Sequence, residues 1–348
     1  MELRANTKGA HWFNPRSEAG IPLYCSAGLT GYGIDHYGNY YRCHQPPLEM
    51  TNRWLPMGNV LSDKGFRKIT TAELEGGCRL SNCMCTRTVN CDVPERDTQE
   101  LRHVFLENIP NRNWGHISWN LSPNCNYSCV YCVNSATPQV QALHQKKNRL
   151  LNEAELIFVA ESIFDRFESV DFIFRGPGEP ILHPDVKALF GFLYSRQKQV
   201  RQISLLTNTA AARKIVQLMY VGFGDKLLFD CSYHILEPQF SPEKVVAMHP
   251  HAMKTGTRVN AHYVGHPVVR KYHPDYQRYW KLNDVPLAVT VPYVPQEGEP
   301  ELPRTFFPPS YPEVRAFLEK HDPSWLSAEV RAYVQQQTMS KGGTEPIK

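Results

Sequence analysis

Cys125-Asn126-Tyr127-Ser128-Cys129-Val130-Tyr131-Cys132 carries three thiols at the spacing Cys-x3-Cys-x2-Cys. It directly follows a strand-like run at residues 116–121. Three thiolates on one short loop can hold three irons of a 4Fe–4S cube, because such clusters take cysteine thiolate ligands. No fourth cysteine stands in the loop, so one iron would stay open for a substrate or cofactor. Read alone, the trio also suits a zinc knuckle or a chance grouping.

Downstream of this loop, apolar runs alternate with segments of helical period. Residues 116–121, 171–174, 202–207, 227–232, 258–264 and 287–291 read as strands. Residues 152–168 read as a helix capped by Asn152, with Leu156, Val159, Ile163 and Phe167 on one face. Further helices are predicted over 184–196, 210–220, 241–253 and 269–280. Six β/α units predict an α/β fold with a parallel sheet and right-handed crossovers. Six suit an open, partial (β/α)6 barrel better than a closed eightfold one. The barrel is expected over 106–295. A C-terminal tail over 296–348 holds Pro308, Pro309 and Pro312, then helices near 313–320 and 328–337.

The first 105 residues differ in kind. They hold Cys25, Cys43, Cys78, Cys83, Cys85 and Cys91, six of ten cysteines, and few periodic segments. Asp35-His36-Tyr37-Gly38-Asn39 reads as a turn before a short β piece over 40–43. With little core of its own, such a unit needs a staple, and six thiols point to metal. Structural zinc, with His36 and His44 near, is the alternative to an iron–sulfur cluster. The chain has 348 residues, a net charge of +4 and 42% hydrophobic residues. That composition fits a globular protein with a core and gives no strong field for nucleic acid or a membrane. No apolar run is long enough to span a bilayer, and the N-terminus lacks the apolar core of a secretion signal. A cytoplasmic location is therefore expected. Clustered thiols in a reducing compartment bind metal more often than they form disulfides, the alternative being a secreted disulfide protein.

The cysteine loop, placed at the end of a first barrel strand, resembles that of the radical S-adenosylmethionine (SAM) superfamily. The resemblance implies that Cys125, Cys129 and Cys132 hold a catalytic 4Fe–4S cluster whose open iron chelates the amino and carboxylate groups of SAM. It also implies reductive cleavage to a 5′-deoxyadenosyl radical that abstracts hydrogen from an organic substrate, with a flavodoxin- or ferredoxin-type electron donor. Tyr131 stands where the family has an aromatic near the adenine. Phe174-Arg175-Gly176-Pro177-Gly178-Glu179-Pro180 resembles the family's Gly-Gly-Glu-Pro motif, with Pro177 where a glycine is often found. By that likeness Gly176, Gly178 and Glu179 bind the methionyl end of SAM; a carboxylate can accept from an ammonium. Thr207 and Asn208, ending the third strand, and Ser232, ending the fourth, are further cofactor candidates, as are His234 and Asn260 more remotely. Each could instead cap the following helix. Cys231, within an apolar strand, reads as a core thiol.

The spacing Cys25-x12-Gly38-x4-Cys43 and the segment Met57-Gly58-Asn59 resemble the SPASM domain, an auxiliary iron–sulfur domain of many radical SAM enzymes. The departures are six cysteines where a two-cluster domain has seven, unfamiliar late spacings, and a position ahead of the barrel. The likeness implies one auxiliary 4Fe–4S cluster over residues 1–105. Residues 295–320 loosely resemble SPASM-type proteins of polysaccharide and sugar metabolism, which favours a sugar- or nucleoside-type metabolite in natural-product biosynthesis. No separate stretch is left for a leader-peptide module, so a ribosomal peptide is the second expectation. Outside catalysis, the alternative is a metal-stapled binding module.

Overall fold

In a computed structural model of the chain, the structure describes residues 31–41, 56–67, 113–127, 149–176, 178–232, 241–264, 273–290 and 332. Nine strands form one sheet: β1 (Gly31–Ile34), β2 (Asn39–Tyr41), β3 (Gly58–Asn59), β4 (Trp114–Trp119), β5 (Ser169–Phe174), β6 (Val200–Thr207), β7 (Leu227–Ser232), β8 (Arg258–Val264) and β9 (Leu287–Thr290). Their order is β3-β2-β1-β4-β5-β6-β7-β8-β9. From β4 to β9 every neighbour is the next strand in sequence and runs parallel.

Five described helices make the crossovers: α1 (Glu153–Phe164), α2 (Val186–Ser195), α3 (Ala212–Met219), α4 (Pro242–Thr255) and α5 (His273–Leu282). Asn152 opens α1 with a reciprocal capping box to Glu155, as its sequence position predicts. Crossovers that all step the same way place their helices on one face of the sheet. Phe172 of β5 meets Phe164 of α1, and Phe174 meets Phe190 of α2. That face continues through Ile203, Leu205, Leu227, Phe229, Cys231, Val259 and Ala261, all buried.

The opposite face follows from strand alternation. It carries His116 and Ser118 of β4, Asp171 and Ile173 of β5, Gln202, Ser204 and Leu206 of β6, Leu228, Asp230 and Ser232 of β7, and Asn260 and His262 of β8. From Ile173 to His262 these residues are partly exposed. A parallel sheet ordinarily buries both faces among apolar residues. Here one face is apolar and helix-covered, and the other is largely polar.

The N-terminal strands extend the same sheet. Residues 31–41 and 56–67, from the segment expected to be a separate N-terminal unit, join the main sheet. β1 pairs in parallel with β4, Ile34 opposite Trp119, and β2 and β3 extend the sheet antiparallel. Tyr32 and Tyr40 pack with Phe66, and Tyr32 and Phe66 also meet Phe167 just past α1. These strands thus share the sheet's own apolar core. Phe167 is recruited to this cluster, so α1 stops at Phe164 although the helical spacing runs to 168. Asp35 builds the predicted turn: its carboxylate accepts from the backbone N–H groups of Tyr37 and Asn39, from Asn39 Nδ2 and from the Tyr41 hydroxyl. Cys25, Cys43, Cys78, Cys83, Cys85, Cys91 and His44 lie outside the described residues, as do the two tail helices. Among the described residues no helix is long and apolar enough to cross a membrane.

Candidate cofactor site at the strand ends

The loops leaving β4, β5 and β6 meet at the C-terminal edge of the sheet. In parallel α/β sheets ligands bind beyond those ends. Cys125 follows β4 by six residues and is exposed. Cys129, Tyr131, Cys132, Pro177 and His234 lie outside the described residues. Among the described residues no group of three His, Cys, Asp or Glu side chains is arranged to hold a metal ion.

Asn208, leaving β6, ties its loop to the cysteine loop. Its Nδ2 donates to Asn126 Oδ1 at 2.8 Å and lies 3.7 Å from Cys125 Sγ. Its Oδ1 accepts from the Ala210 N–H, which fixes the amide's orientation.

Glu179 joins the same loops from below. It is 3% exposed. Oε2 accepts from the Asn208 N–H at 2.6 Å and Oε1 from the Ile181 N–H at 3.2 Å, while Glu179 N–H donates to Asn124 O at 2.8 Å. Burial pushes its carboxyl up to about 7, against the pull of bonds from the Asn208 N–H, the Thr207 hydroxyl and the Ile181 N–H. Three donors fill three of a carboxylate's roughly four lone-pair directions. Thr207 lies on the helix-covered side at 2% exposure, where its hydroxyl serves Glu179 and accepts from the Thr209 N–H.

The glycines of the turn after β5 are required by the chain's own packing. A Cβ at Gly178 would lie 2.3 Å from Asn124 O and 2.4 Å from Ser122 O, backbone atoms of the segment leading into Cys125. A Cβ at Gly176 would lie 2.2 Å from Asn120 Oδ1. Sequence reasoning assigned both glycines to close approach of a cofactor; the approach visible here is that of the cysteine loop and its root.

Several residues at this edge carried no signal in the sequence. Asn120 is buried, and so is Thr209, a β-branched residue at φ 63°. That conformation is strained for a non-glycine residue, and such strain collects at functional sites. Arg175 donates from Nε to Ser118 Oγ at 3.0 Å on the polar face. His262 Nδ1 pairs with Asp230 Oδ2 at 3.1 Å, with Ser232 opposite His262 in register. Asn260 is on this face two residues before His262, farther from the strand end. Cys231 is buried on the helix face, where burial, then the Asp230 and Glu179 carboxylates, raise its thiol well above the ordinary value.

No protein-family model matches the chain, and no curated protein matches it. Among solved structures the chain is similar to a polyhistidine-tagged anSMEcpe with bound AdoMet, at 19% identity and a TM-score of 0.40 over 53% of this chain and 51% of that one. Native anSMEcpe with bound AdoMet matches at 19% identity and 0.40, over 52% of each chain. Native anSMEcpe with bound AdoMet and Cp18Cys peptide matches at 18% identity and 0.39, again over 52% of each. The chain thus spans about half the length of these structures.

Proposed function

We propose that this chain is a radical SAM enzyme built on a partial barrel, with Cys125, Cys129 and Cys132 holding a catalytic 4Fe–4S cluster. The observation that carries the reading is the convergence on Cys125: a thiol in a Cys-x3-Cys-x2-Cys loop, exposed at the sheet's C-terminal edge, with the Asn208 amide 3.7 Å away. Cys125 with the Asn208 amide beside it suits a cluster ligand, and the buried Glu179 carboxyl suits a partner for the SAM ammonium. A donor beside a ligating sulfur is the kind of contact that tunes a cluster. The partly exposed polar face beneath supports a lumen rather than a second buried layer.

When bound, the cluster and SAM supply the one-electron chemistry that removes hydrogen from a substrate C–H bond. The chain's own residues bind and orient. Glu179 would offer its remaining lone-pair direction to the SAM ammonium, while Thr207 and the backbone of Asn208 hold that carboxylate in place. Gly178 lets the segment before Cys125 pack against this turn. By the family likeness Tyr131 would serve the adenine, and Asn208 and Ser232 would offer polar groups to the cofactor.

The polar face, with Arg175, Ser204, Asn260 and the Asp230–His262 pair, favours a polar, hydroxylated substrate. A sugar- or nucleoside-type metabolite fits this better than an apolar side chain; a peptide is the outcome that would displace it. The ligands of an auxiliary 4Fe–4S cluster come from among Cys25, Cys43, Cys78, Cys83, Cys85 and Cys91, and a flavodoxin- or ferredoxin-type protein of the cytoplasm delivers the electron. The test is anaerobic reconstitution followed by reduction with SAM. The parent protein forms 5′-deoxyadenosine, and Cys125→Ala, Cys129→Ala and Cys132→Ala each abolish it. Retained 5′-deoxyadenosine in any of the three variants overturns the assignment.

A further inference from the structure

We propose that Asn120 recognises the amino-carboxylate end of SAM, its Nδ2 donating to the carboxylate and its Oδ1 accepting from the amino group. This inference rests on the reading of the chain as a SAM enzyme and adds a contact outside the residues that the cysteine and glycine motifs contain.

Asn120 is 2% exposed, and among the described residues neither Nδ2 nor Oδ1 has a hydrogen-bond partner. A buried donor or acceptor left without a partner is costly, and native proteins keep few of them. An amide with both ends unsatisfied calls for a group that supplies an acceptor and a donor side by side. An amino acid head presents that pair within one small unit. A carboxamide matches it without adding net charge to a site whose carboxylate, Glu179, already holds three donors.

The position is equally specific. Asn120 is the first residue past β4, and its own N–H donates to Ile34 O of β1 at 2.8 Å, which fixes its backbone. By alternation its side chain continues the polar row of His116 and Ser118. Ser118, next along that row, is engaged by Arg175. Gly176 presses against the amide so closely that any side chain at 176 would collide with Oδ1. The amide therefore stands between the root of the cysteine loop and the glycine turn, the two segments proposed to frame SAM.

The experiment uses the full chain, anaerobically reconstituted and left unreduced so that SAM binds without turnover. Iron content, SAM affinity by equilibrium dialysis, and Tm with and without SAM are measured for the parent, Asn120→Leu and Asn120→Asp. Leucine keeps the shape and removes both polar ends. The expected result is unchanged iron, SAM binding weakened by about ten- to a hundredfold, and a SAM-free Tm no lower than the parent's. Loss of an unsatisfied buried amide does not destabilise, whereas loss of a structural one does. Asn120→Asp folds around the same outline, and its new charge beside the SAM carboxylate also weakens binding. Parent-like SAM affinity in either variant overturns the proposal, and if Asn120→Leu proves too unstable to reconstitute, Asn120→Asp decides alone. A parent protein that holds iron but binds no SAM would instead overturn the wider functional reading.

Discussion

The side-chain amide of Asn208 lies 3.7 Å from the Cys125 sulfur, although the two residues are 83 positions apart in the chain. The same amide donates to Asn126, so the loop leaving β6 steadies the first thiol of the loop leaving β4. Asn208→Ala removes both contacts and keeps the backbone N–H that holds Glu179. The expected cost is about 1–2 kcal/mol of stability. Removing a donor near a cluster sulfur also makes the cluster harder to reduce, so its midpoint potential moves to more negative values. Redox titration followed by electron paramagnetic resonance measures this; an unmoved potential would show that the amide only ties loops together.

Glu179 gives the site a pH dependence. Its carboxyl sits at about 7 in the fold against an ordinary 4.5. Between those values the folded state binds the extra proton, so this group's contribution to cofactor-free stability falls as pH rises through that window. An ammonium partner needs the carboxylate. SAM affinity should therefore weaken by up to about tenfold per pH unit below about 7. Glu179→Gln should remove the slope and bind SAM weakly throughout. Dialysis between about pH 6 and pH 8 reads this directly, and a flat parental profile would mean that the carboxylate only caps the turn.

Gly178→Ala tests why the turn is glycine-rich. The added methyl would meet the Ser122 and Asn124 carbonyl oxygens, which are backbone and cannot swing aside. The expected loss is about 1–3 kcal/mol, together with poor loading of the proposed catalytic cluster as the cysteine loop is displaced. Thermal unfolding and iron analysis check both. A variant with parental Tm and iron would show that this packing can give way without consequence.

The proposed auxiliary cluster has its own readout. Reconstituted protein should hold about eight irons, the content of two 4Fe–4S cubes. A triple alanine variant at Cys125, Cys129 and Cys132 should retain about half. Cys25→Ala or Cys43→Ala should harm product formation more than uncoupled SAM cleavage. Zinc without iron in the triple variant would rule the auxiliary cluster out.

The strands that carry the site were legible in the sequence. Residues 227–232 and 258–264 form β7 and β8 as expected, because an apolar residue every second position on one covered face leaves a period-two signal. β1 left none. Gly31-Tyr32-Gly33-Ile34 offers just two apolar side chains, and its partner β4 lies more than 80 residues away. Asn120 was equally silent, since one polar residue after a strand is what most loops begin with. At Gly178 the need for a glycine was legible, and the structure adds a cause from the chain's own backbone, since an added Cβ would meet Ser122 and Asn124.

The pairing of β1 with β4 makes the strand that bears the cysteine loop an interior one, clasped by β1 on one side and β5 on the other. A strand with neighbours on both sides cannot slip register without turning His116 and Ser118 into the apolar layer and Ile117 and Trp119 out of it. Its amide hydrogens should be among the last to exchange with solvent deuterium, opening only with the whole molecule. The short outer strands, β3 and β9, should exchange first. The anchor of the thiol loop would then remain closed through every partial opening, so that breathing of the protein at its margins leaves the root of Cys125 sealed from water and oxygen.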